Sequence, residues 1–264
     1  MTALYKNGDD TVAEEGFLDA LRRVGIREGD IVFVHSDIRV FGKVVSNDKT
    51  TLLRSLVGVL QKSVGSHGTL VMPTFSYSFC KNEAYDVRLT HSTVGALTDF
   101  FRSEEGVRRS LNPLFSVAAW GKHADEFMQT PKDSFGKGTA FDTLRRLGGK
   151  ILFFGTDLRA CTFLHHVEQM HAVPYRFMKT FEGSVIDGDK TYHDTCTYFV
   201  RPLDGTIEND FAVIEPQLRT AGLLQETVVG SGRLMSVGAK ELYDEAMQML
   251  DRDPYCFVSN TAHA

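Results

Sequence analysis

No stretch of the 264-residue sequence comes near the ~18 consecutive uncharged apolar residues of a membrane-spanning helix. The first segment, MTALYKNGDDTVAEEG, also lacks the basic region and apolar run of a secretory signal. The four cysteines are scattered and form no Cys-x-x-Cys pair, which argues against a disulfide framework and against a zinc site. We therefore expect a cytoplasmic protein with reduced thiols and no contact with a membrane.

A large excess of charge of one sign is missing as well. Lysine and arginine together number 29, and aspartate and glutamate number 34, so the net charge is −5. Proteins that bind the phosphate backbone of a nucleic acid usually carry a basic surface, so no such partner is expected. The slight acidity permits a cationic substrate without requiring one.

Several catalytic and nucleotide-binding signatures are absent. The segments GKGTAF and GSGRL contain glycines, but neither has the spacing of a P-loop or of a dinucleotide-binding fingerprint. The chain has no Gly-x-Ser-x-Gly elbow, which disfavours a serine hydrolase of that type. The segment HHVEQMH lacks histidines four residues apart with a third ligand, so no metal is expected.

What the sequence does contain is an alternation of helical and strand patterns. Helical spacing of apolar residues precedes two buried-strand runs, IVFV and TLVM, and a third run, ILFF, follows later. The segment TYHDTCTYFV, rich in threonine and tyrosine, predicts an antiparallel strand. We predict one α/β domain over residues 1–264, with a mixed central sheet, helices on both faces and antiparallel strands from the C-terminal third.

Two helix starts are predicted from capping residues. Thr11, with Glu14 three residues later, has the pattern of a capping box before an amphipathic helix. Ser92 is expected to cap a helix over TVGALTDFFRSEEG, which Gly106 would close.

Polar groups follow three of the predicted strands. They are the segments at residues 35–37, at residues 74–76 and after Gly155. Ligands of open α/β sheets bind beyond the carboxyl ends of the strands, so these groups predict one shared cleft. Each cluster alone is also explained by ordinary turn chemistry.

The segment TFLHHVEQM, which has the pattern of a helix, carries the chain's clearest candidate for acid–base chemistry. His165 and Glu168 lie three residues apart and share a helix face, whereas His166 points about 100° away. A carboxylate beside an imidazole can orient it as a general base. The alternative is a surface pair without catalytic function.

Taken together, the motifs resemble the aminoglycoside 3-N-acetyltransferase family along nearly the whole chain. The matching segments, in order, are GDIVFVHSD, GTLVMPTFSYS, STVGALTDFFR, GVRRSLNPLFSVAAWG, GKILFFGT, TFLHHVE and VGSGRLMSVGAKELYDEAMQMLDRDPYCF. The resemblance implies an enzyme that uses acyl-coenzyme A to acylate an amine on a sugar-like ring.

The resemblance implies a catalytic group and a coenzyme A site. His165 is similar to the family's general base, Glu168 to its carboxylate partner and Ser110 to an active-site group near the thioester. The coenzyme A site would include His35, Ser36, Asp37 and Thr74. Acetyl-CoA or a longer acyl-CoA is the expected cosubstrate. Because a neutral imidazole can accept the proton of the amine, direct transfer without an acyl-enzyme is favoured.

The acceptor is where the sequence departs from the family pattern. Asn112 stands where the aminoglycoside enzymes usually carry histidine, and asparagine cannot carry charge. Asn112, Asn82 and Asp86 are the expected acceptor-binding residues. The long loop before Ser92 holds few carboxylates, and a polycationic acceptor would favour a denser acidic pocket.

Basic residues near this loop suit an anionic acceptor instead: Lys81, Arg88, Arg108 and Arg109. We therefore predict an acyl-CoA-dependent N-acyltransferase acting on an amino sugar, with a nucleotide-linked amino sugar favoured. The alternative is an antibiotic-modifying aminoglycoside 3-N-acetyltransferase, and a more remote one is a non-catalytic CoA-binding module. The acyl chain and the oligomeric state stay open.

Overall fold

The computed structural model describes residues 3–45, 48–129 and 131–260. Its strands, numbered in chain order, are β1 (Ala3–Asn7), β2 (Asp10–Ala13), β3 (Ile31–Ser36), β4 (Lys43–Val44), β5 (Thr69–Pro73), β6 (Tyr85–Asp86), β7 (Arg108–Arg109), β8 (Val117–Gly121), β9 (Lys150–Phe154), β10 (Phe177–Asp187), β11 (Lys190–Val200), β12 (Ile207–Asn209), β13 (Gln225–Val229), β14 (Gly232–Gly238) and β15 (Val258–Asn260).

The α-helices are α1 (Glu14–Arg23), α2 (Lys49–Val64), α3 (Ala96–Phe101), α4 (Ala140–Arg146), α5 (Phe163–His171), α6 (Glu215–Thr220) and α7 (Ala239–Arg252). Short 3-10 turns span Ile38–Phe41, Phe79–Lys81, Ala124–Phe127, Leu158–Ala160 and Phe211–Ile214. Over the described ranges, no helix combines the length and apolar character that crossing a membrane requires.

A mixed seven-stranded sheet forms the centre of the fold, in the order β13-β14-β9-β3-β5-β8-β7. Strand β3 runs parallel to both β5 and β9, while β8 and β14 add antiparallel strands on either side. The three runs IVFV, TLVM and ILFF therefore form adjacent parallel strands. Their carboxyl ends lie at the same edge of the sheet, as the sequence predicted.

The two faces of this sheet bury separate cores. Along β3, Val32 and Val34 belong to one cluster with residues of α1, α2 and α3. Phe33 belongs to the other, with residues of α4, α5, α6 and α7. Side chains alternate across a strand, so a continuous apolar run is the pattern of a strand covered on both faces. The predicted α/β class with a mixed sheet and helices on both faces is confirmed.

The C-terminal third supplies antiparallel strands to three sheets of the described chain, one of which is the short pair β12–β15. Strands β13 and β14 join the central sheet, whereas β10 and β11 form a long hairpin in register from Phe177↔Val200 to Asp187↔Lys190. The hairpin forms a separate sheet with the short strand β6. This hairpin is important for the site because several of its residues line the same cleft as His165 of helix α5.

Both predicted helix starts were wrong. Thr11 lies in strand β2 opposite Lys6 of β1, and the helix begins at Glu14 without a side-chain cap. The segment that resembled a capping box forms backbone hydrogen bonds in the β1–β2 hairpin instead. Helix α3 begins four residues after Ser92, and Gly95 occupies its N-cap position with φ 141°. Ser92 does not cap the helix, because its backbone N–H donates to the Asp99 side chain. The helix ends at Phe101, before Gly106.

Candidate active site

Helix α5 brings His165 and Glu168 together as the spacing predicted. The Nδ1–H of His165 donates to Oε2 of Glu168 across 2.7 Å. The Glu168 side chain is fully buried and that of His165 is 13% exposed. His166 points into the protein, where its Nδ1–H donates to the Phe135 carbonyl across 2.6 Å. The pair is therefore partly buried, and the surface-pair alternative does not describe it.

Two residues that the sequence analysis missed complete the surroundings of Glu168. The hydroxyl of Tyr175 donates to Oε1 across 2.7 Å, and Nε of Arg176 lies 3.0 Å from Oε2. They follow Glu168 by seven and eight positions, beyond the last turn of helix α5, so no helical periodicity could have indicated them. The carboxylate thus contacts an imidazole, a phenol and a guanidinium.

These contacts set the ionisation of the pair. Burial acts to raise the pKa of Glu168, but the hydrogen bond from His165 and the charges of His165 and Arg176 outweigh it, so this pKa lies below its ordinary value. Burial lowers the pKa of His165 more than Glu168 raises it. A neutral imidazole beside an ionised carboxylate is the resting state that a general base needs.

His165 lines an open cleft of about 600 Å³. Because Nδ1 donates to Glu168, Nε2 is the nitrogen available for proton transfer. Edge-on contacts from Phe135 and Phe211, with ring centroids 5.2 and 4.9 Å away, hold the imidazole in place. The cleft is closed on one side by the β10–β11 hairpin. Its aromatic lining residues are Tyr77, Phe177, Phe181 and Tyr198.

The charged groups that line this cleft beside His165 are cations. Lys179 of β10 lies over the Phe181 ring at 5.0 Å, and Arg201 follows β11. Arg201 is tied to Glu208 by an ion pair of 2.7 Å. No aspartate or glutamate is among the described residues that line the cleft. Lys179 and Arg201 were not identified from the sequence. They reach the His165 cleft because of the way the β10–β11 hairpin pairs and packs, which the local sequence does not show.

The basic residues that were identified from the sequence lie elsewhere. None of the four lines the His165 cleft in the described part of the chain. Arg109 is buried and donates to the carbonyl of Thr74 across 2.6 Å, while Arg108 pairs with Asp125. Lys81 donates to the carbonyl of Ser76 across 3.0 Å. These positions therefore give no support to the predicted anionic acceptor at the His165 cleft.

Ser36 and Asp37, two of the predicted coenzyme A residues, line a second cleft of about 540 Å³. It also includes Thr156, at the end of β9, and residues 93–97 at the start of α3. The Asp37 side chain caps the following turn and pairs with Arg39, and Asp157 does the same with Arg159. The two neighbouring strands thus end in equivalent turns.

Gly155 allows these two turns to pack closely. It has φ 80°, and a Cβ added to it would lie 2.3 Å from the carbonyl oxygen of Asp37. Only glycine fits this approach. The segment that follows β5 lies between the two clefts. Thr93, which lines the second cleft, donates to the carbonyl of Phe75, whose ring contacts Tyr77 of the first.

The other two predicted coenzyme A residues are buried. Thr74 is held by Arg109 and Ser116, with Oγ1 3.1 Å from the Ser116 carbonyl. His35 is 5% exposed and packs between Phe33 and Phe153. Its Nε2 has no hydrogen-bond partner among the described residues. Neither residue lines the second cleft, so a direct contact with the cosubstrate stays a prediction.

The burial of His35 predicts an acid-dependent loss of stability. Burial lowers the pKa of His35 to about 3, whereas an unfolded histidine titrates near ~6.5. Between these values the unfolded chain binds a proton that the folded protein does not, so stability falls as the pH drops below ~6.5. At pH 5 this single group costs about 2 kcal/mol.

Urea unfolding of the wild type and of His35→Phe at pH 7 and pH 5 measures this cost. The variant is expected to lose about 2 kcal/mol less than the wild type between the two pH values. An equal loss in both proteins would show that His35 does not remain neutral in the fold.

Ser110 and Asn112 share a small cavity separate from both clefts. The Ser110 hydroxyl oxygen accepts from the Val117 N–H across 3.0 Å. The Asn112 side-chain oxygen accepts from two backbone N–H groups, those of Leu114 and Phe115, across 3.0 and 2.8 Å. Asn112 therefore stabilises a turn through its side-chain carbonyl oxygen. A histidine at this position has no carbonyl oxygen in its side chain.

Asn82 and Asp86, the remaining predicted acceptor residues, lie on the loop before α3. Asn82 is exposed and has φ 58°, ending a short 3-10 turn. Asp86 accepts from the backbone N–H groups of Arg88 and Leu89, both across 2.8 Å. Neither lines the His165 cleft. No group of three or more His, Cys, Asp or Glu in the described ranges stands close enough to hold a metal ion.

The chain and its fold match known proteins. A family model described as aminoglycoside 3-N-acetyltransferase matches residues 33–251. The chain is 26% identical over 273 residues to aminoglycoside N(3)-acetyltransferase VII of Streptomyces paromomycinus, covering 92% of each chain. It is 27% identical to aminoglycoside N(3)-acetyltransferase IV of Salmonella sp, covering 90% of this chain and 87% of the relative.

Solved structures show the same fold. The apoenzyme of aminoglycoside acetyltransferase AAC(3)-IVa superposes with a TM-score of 0.80 at 23% identity, covering 98% of this chain and 96% of the other. The binary complex of AAC-IIIb with CoASH has a TM-score of 0.79 at 22% identity, covering 91% and 96%. Since the family model spans most of the sequence, the resemblance inferred from the motifs is confirmed, and the chain belongs to the aminoglycoside 3-N-acetyltransferase family.

Proposed function

We propose that this protein is an acyl-CoA-dependent N-acetyltransferase that acetylates a primary amine of an aminoglycoside, with His165 as general base. The observation that carries the proposal is the His165–Glu168 hydrogen bond of 2.7 Å, which leaves Nε2 facing a cleft large enough for a sugar-sized acceptor. One of the similar structures was solved with coenzyme A. Because the family model and the relatives are named as acetyltransferases, the proposed acyl donor is acetyl-CoA, with a longer acyl-CoA as the variation to test.

The chemistry requires a single displacement. The neutral amine attacks the thioester carbonyl, and Nε2 of His165 accepts the proton that the nitrogen loses. Collapse of the tetrahedral intermediate forms the amide and breaks the carbon–sulfur bond. The leaving sulfur takes the proton from the His165 imidazolium, directly or through water, so coenzyme A leaves as its thiol and the base is neutral again. Backbone N–H groups at the strand ends are the candidate donors to the oxyanion. The Ser110 hydroxyl lies in a cavity separate from both clefts, so its predicted place near the thioester gains no support from this arrangement.

The cleft contains a cysteine, but its properties favour direct transfer. Cys80 lines the cleft beside His165. Burial raises the pKa of its thiol, and Lys179 and Lys81 only partly offset this. A thiol that stays protonated near neutral pH is a poor nucleophile. An acyl-enzyme on Cys80 is therefore not part of the proposed mechanism.

The order of the two acceptor hypotheses changes. The sequence favoured a nucleotide-linked amino sugar, but the matching family model and the relatives named above support the aminoglycoside alternative better. A nucleotide-linked amino sugar stays the second candidate because of one observation. The cleft beside His165 presents Lys179, Arg201 and several aromatic rings, which suit a phosphate and a base.

An acceptor panel separates the two candidates. Thiol release from acetyl-CoA is followed with aminoglycosides of different substitution and with nucleotide-linked amino sugars. Turnover of aminoglycosides with N-acetylated product by mass spectrometry supports the first proposal. Turnover confined to nucleotide-linked amino sugars replaces it with the second. Absence of turnover on both, with bound coenzyme A detected by calorimetry, would favour the non-catalytic module.

Charge reversal at the cleft tests which acceptor charge it recognises. Lys179→Glu is expected to change the KM by about 5- to 10-fold, since an exposed charge pair contributes up to about 1 kcal/mol and the substitution reverses its sign. The direction identifies the acceptor: KM falls for a polycation and rises for an anion. Arg88→Glu, the same charge change on an exposed loop outside the cleft, is the control and should leave the KM unchanged.

A further inference from the structure

Arg176 is a buried cation directly behind the general base. Its side chain is 1% exposed, and Nε lies 3.0 Å from Oε2 of Glu168. That is the oxygen that also accepts from His165. Nη2 donates to the side-chain oxygen of Asn209 across 2.7 Å, and Nη1 reaches the carbonyl of Phe199. The guanidinium is therefore fixed between α5, β11 and β12.

The charges of the three groups decide the protonation of His165. A buried carboxylate alone beside an imidazole favours the imidazolium, because an ion pair then forms. An imidazolium cannot accept a proton. With Arg176 present and His165 neutral, the buried charge of Glu168 is already balanced. Protonation of His165 would then leave a net positive charge in a buried cluster, which is unfavourable.

We propose that Arg176 is a positioning residue that holds Glu168 and keeps His165 neutral, with its proton on Nδ1 and the Nε2 lone pair directed to the cleft. This inference rests on the proposed function, because it explains how a buried histidine–glutamate pair serves as a base. Tyr175 contributes to the same end by donating to the second carboxylate oxygen of Glu168 across 2.7 Å.

The charged groups on the cleft side of His165 are cations, so they also disfavour the imidazolium. The charged ones are Lys179 and Arg201, and the other titratable ones are Cys80, Tyr77 and Tyr198. Burial lowers the pKa of His165, the Glu168 hydrogen bond and charge raise it, and Arg176 and Arg201 lower it. Of these two arginines, Arg176 is the one that contacts the carboxylate.

The test compares Arg176→Gln and Arg176→Lys with the wild type. Nitrogen-15 NMR of the histidine side chains reports the protonation of His165 without any acceptor, and the pH profile of kcat/KM reports it during turnover. Arg176→Gln is expected to move the titration of His165 and the acidic limb of the profile to higher pH. At a pH below the limb, moving it up by about one pH unit lowers kcat/KM about tenfold. Arg176→Lys should restore most of the wild-type behaviour.

The controls separate this proposal from simpler explanations. Arg145→Gln removes a partly buried arginine that pairs with Asp142 and does not contact Glu168, so it should leave the limb unchanged. Urea unfolding checks that each variant is folded. If Arg176→Gln does not fold, Asn209→Ala releases the guanidinium at one end and should move the limb by a smaller amount in the same direction.

The outcomes distinguish the two levels of inference. An unchanged His165 titration and an unchanged limb in folded Arg176→Gln would overturn the role of Arg176 while the proposed function stands. If no acceptor is turned over, the proposed function fails, and the NMR titration still decides whether Arg176 sets the protonation of His165.

Discussion

Replacing His165 with glutamine is expected to lower kcat/KM by about 10²–10⁴-fold, the usual contribution of a general base. Glutamine retains a polar side chain beside Glu168 but has no basic nitrogen to accept the proton of the amine. The loss should appear mainly in kcat, since the cleft keeps its other lining residues. Thiol release from acetyl-CoA, measured at saturating acceptor, is the appropriate assay.

His166→Gln is the matched control on the same helix. His166 is fully buried, faces away from the cleft and bonds the Phe135 carbonyl. Its replacement should lower stability but leave most of the activity in the folded fraction. If His165→Gln is folded, binds coenzyme A and keeps a near-normal kcat, His165 is not the base.

Glu168→Leu is expected to destabilise the protein by about 3–5 kcal/mol, the cost of leaving a buried partner charge uncompensated. The residue removed is fully buried, and the charge left behind is that of Arg176, whose side chain is 1% exposed. The hydroxyl of Tyr175 loses its acceptor in the same variant. Urea unfolding at pH 7 measures the effect.

The double variant Glu168→Leu with Arg176→Met tests the cause. Removing both charges should recover much of the stability lost in Glu168→Leu, because no buried charge then lacks a partner. Activity should not recover, since His165 has lost the group that orients it. If the double variant is as unstable as Glu168→Leu alone, the loss of stability comes from disturbed packing and not from an unpaired buried charge. Glu168→Gln preserves the shape of the side chain, so its stability should lie between that of the wild type and that of Glu168→Leu.

Local sequence patterns determined much of the fold and the centre of the site. Continuous apolar runs such as IVFV predicted strands covered on both faces, because such strands have no solvent side. The spacing of His165 and Glu168 placed them on one helix face, since α5 is a regular helix and positions three apart are neighbours. Local patterns misled at Thr11, where strand pairing outcompeted a helix cap.

Only the tertiary structure decided what surrounds that pair. Tyr175 and Arg176 meet Glu168 through a turn after the helix, and the hairpin brings Lys179 beside His165. These contacts depend on how separate elements pack, which no local periodicity encodes.

The same reason explains His35 and Thr74. Both residues lie at strand ends, as predicted. The side chains at a strand end point to either face of the sheet, however, and the packing of neighbouring elements decides which of them are accessible to a ligand. The sequence therefore determined the family, the strands and the pairing of His165 with Glu168. The folded chain decided which charges the pair contacts and which groups an acceptor would meet.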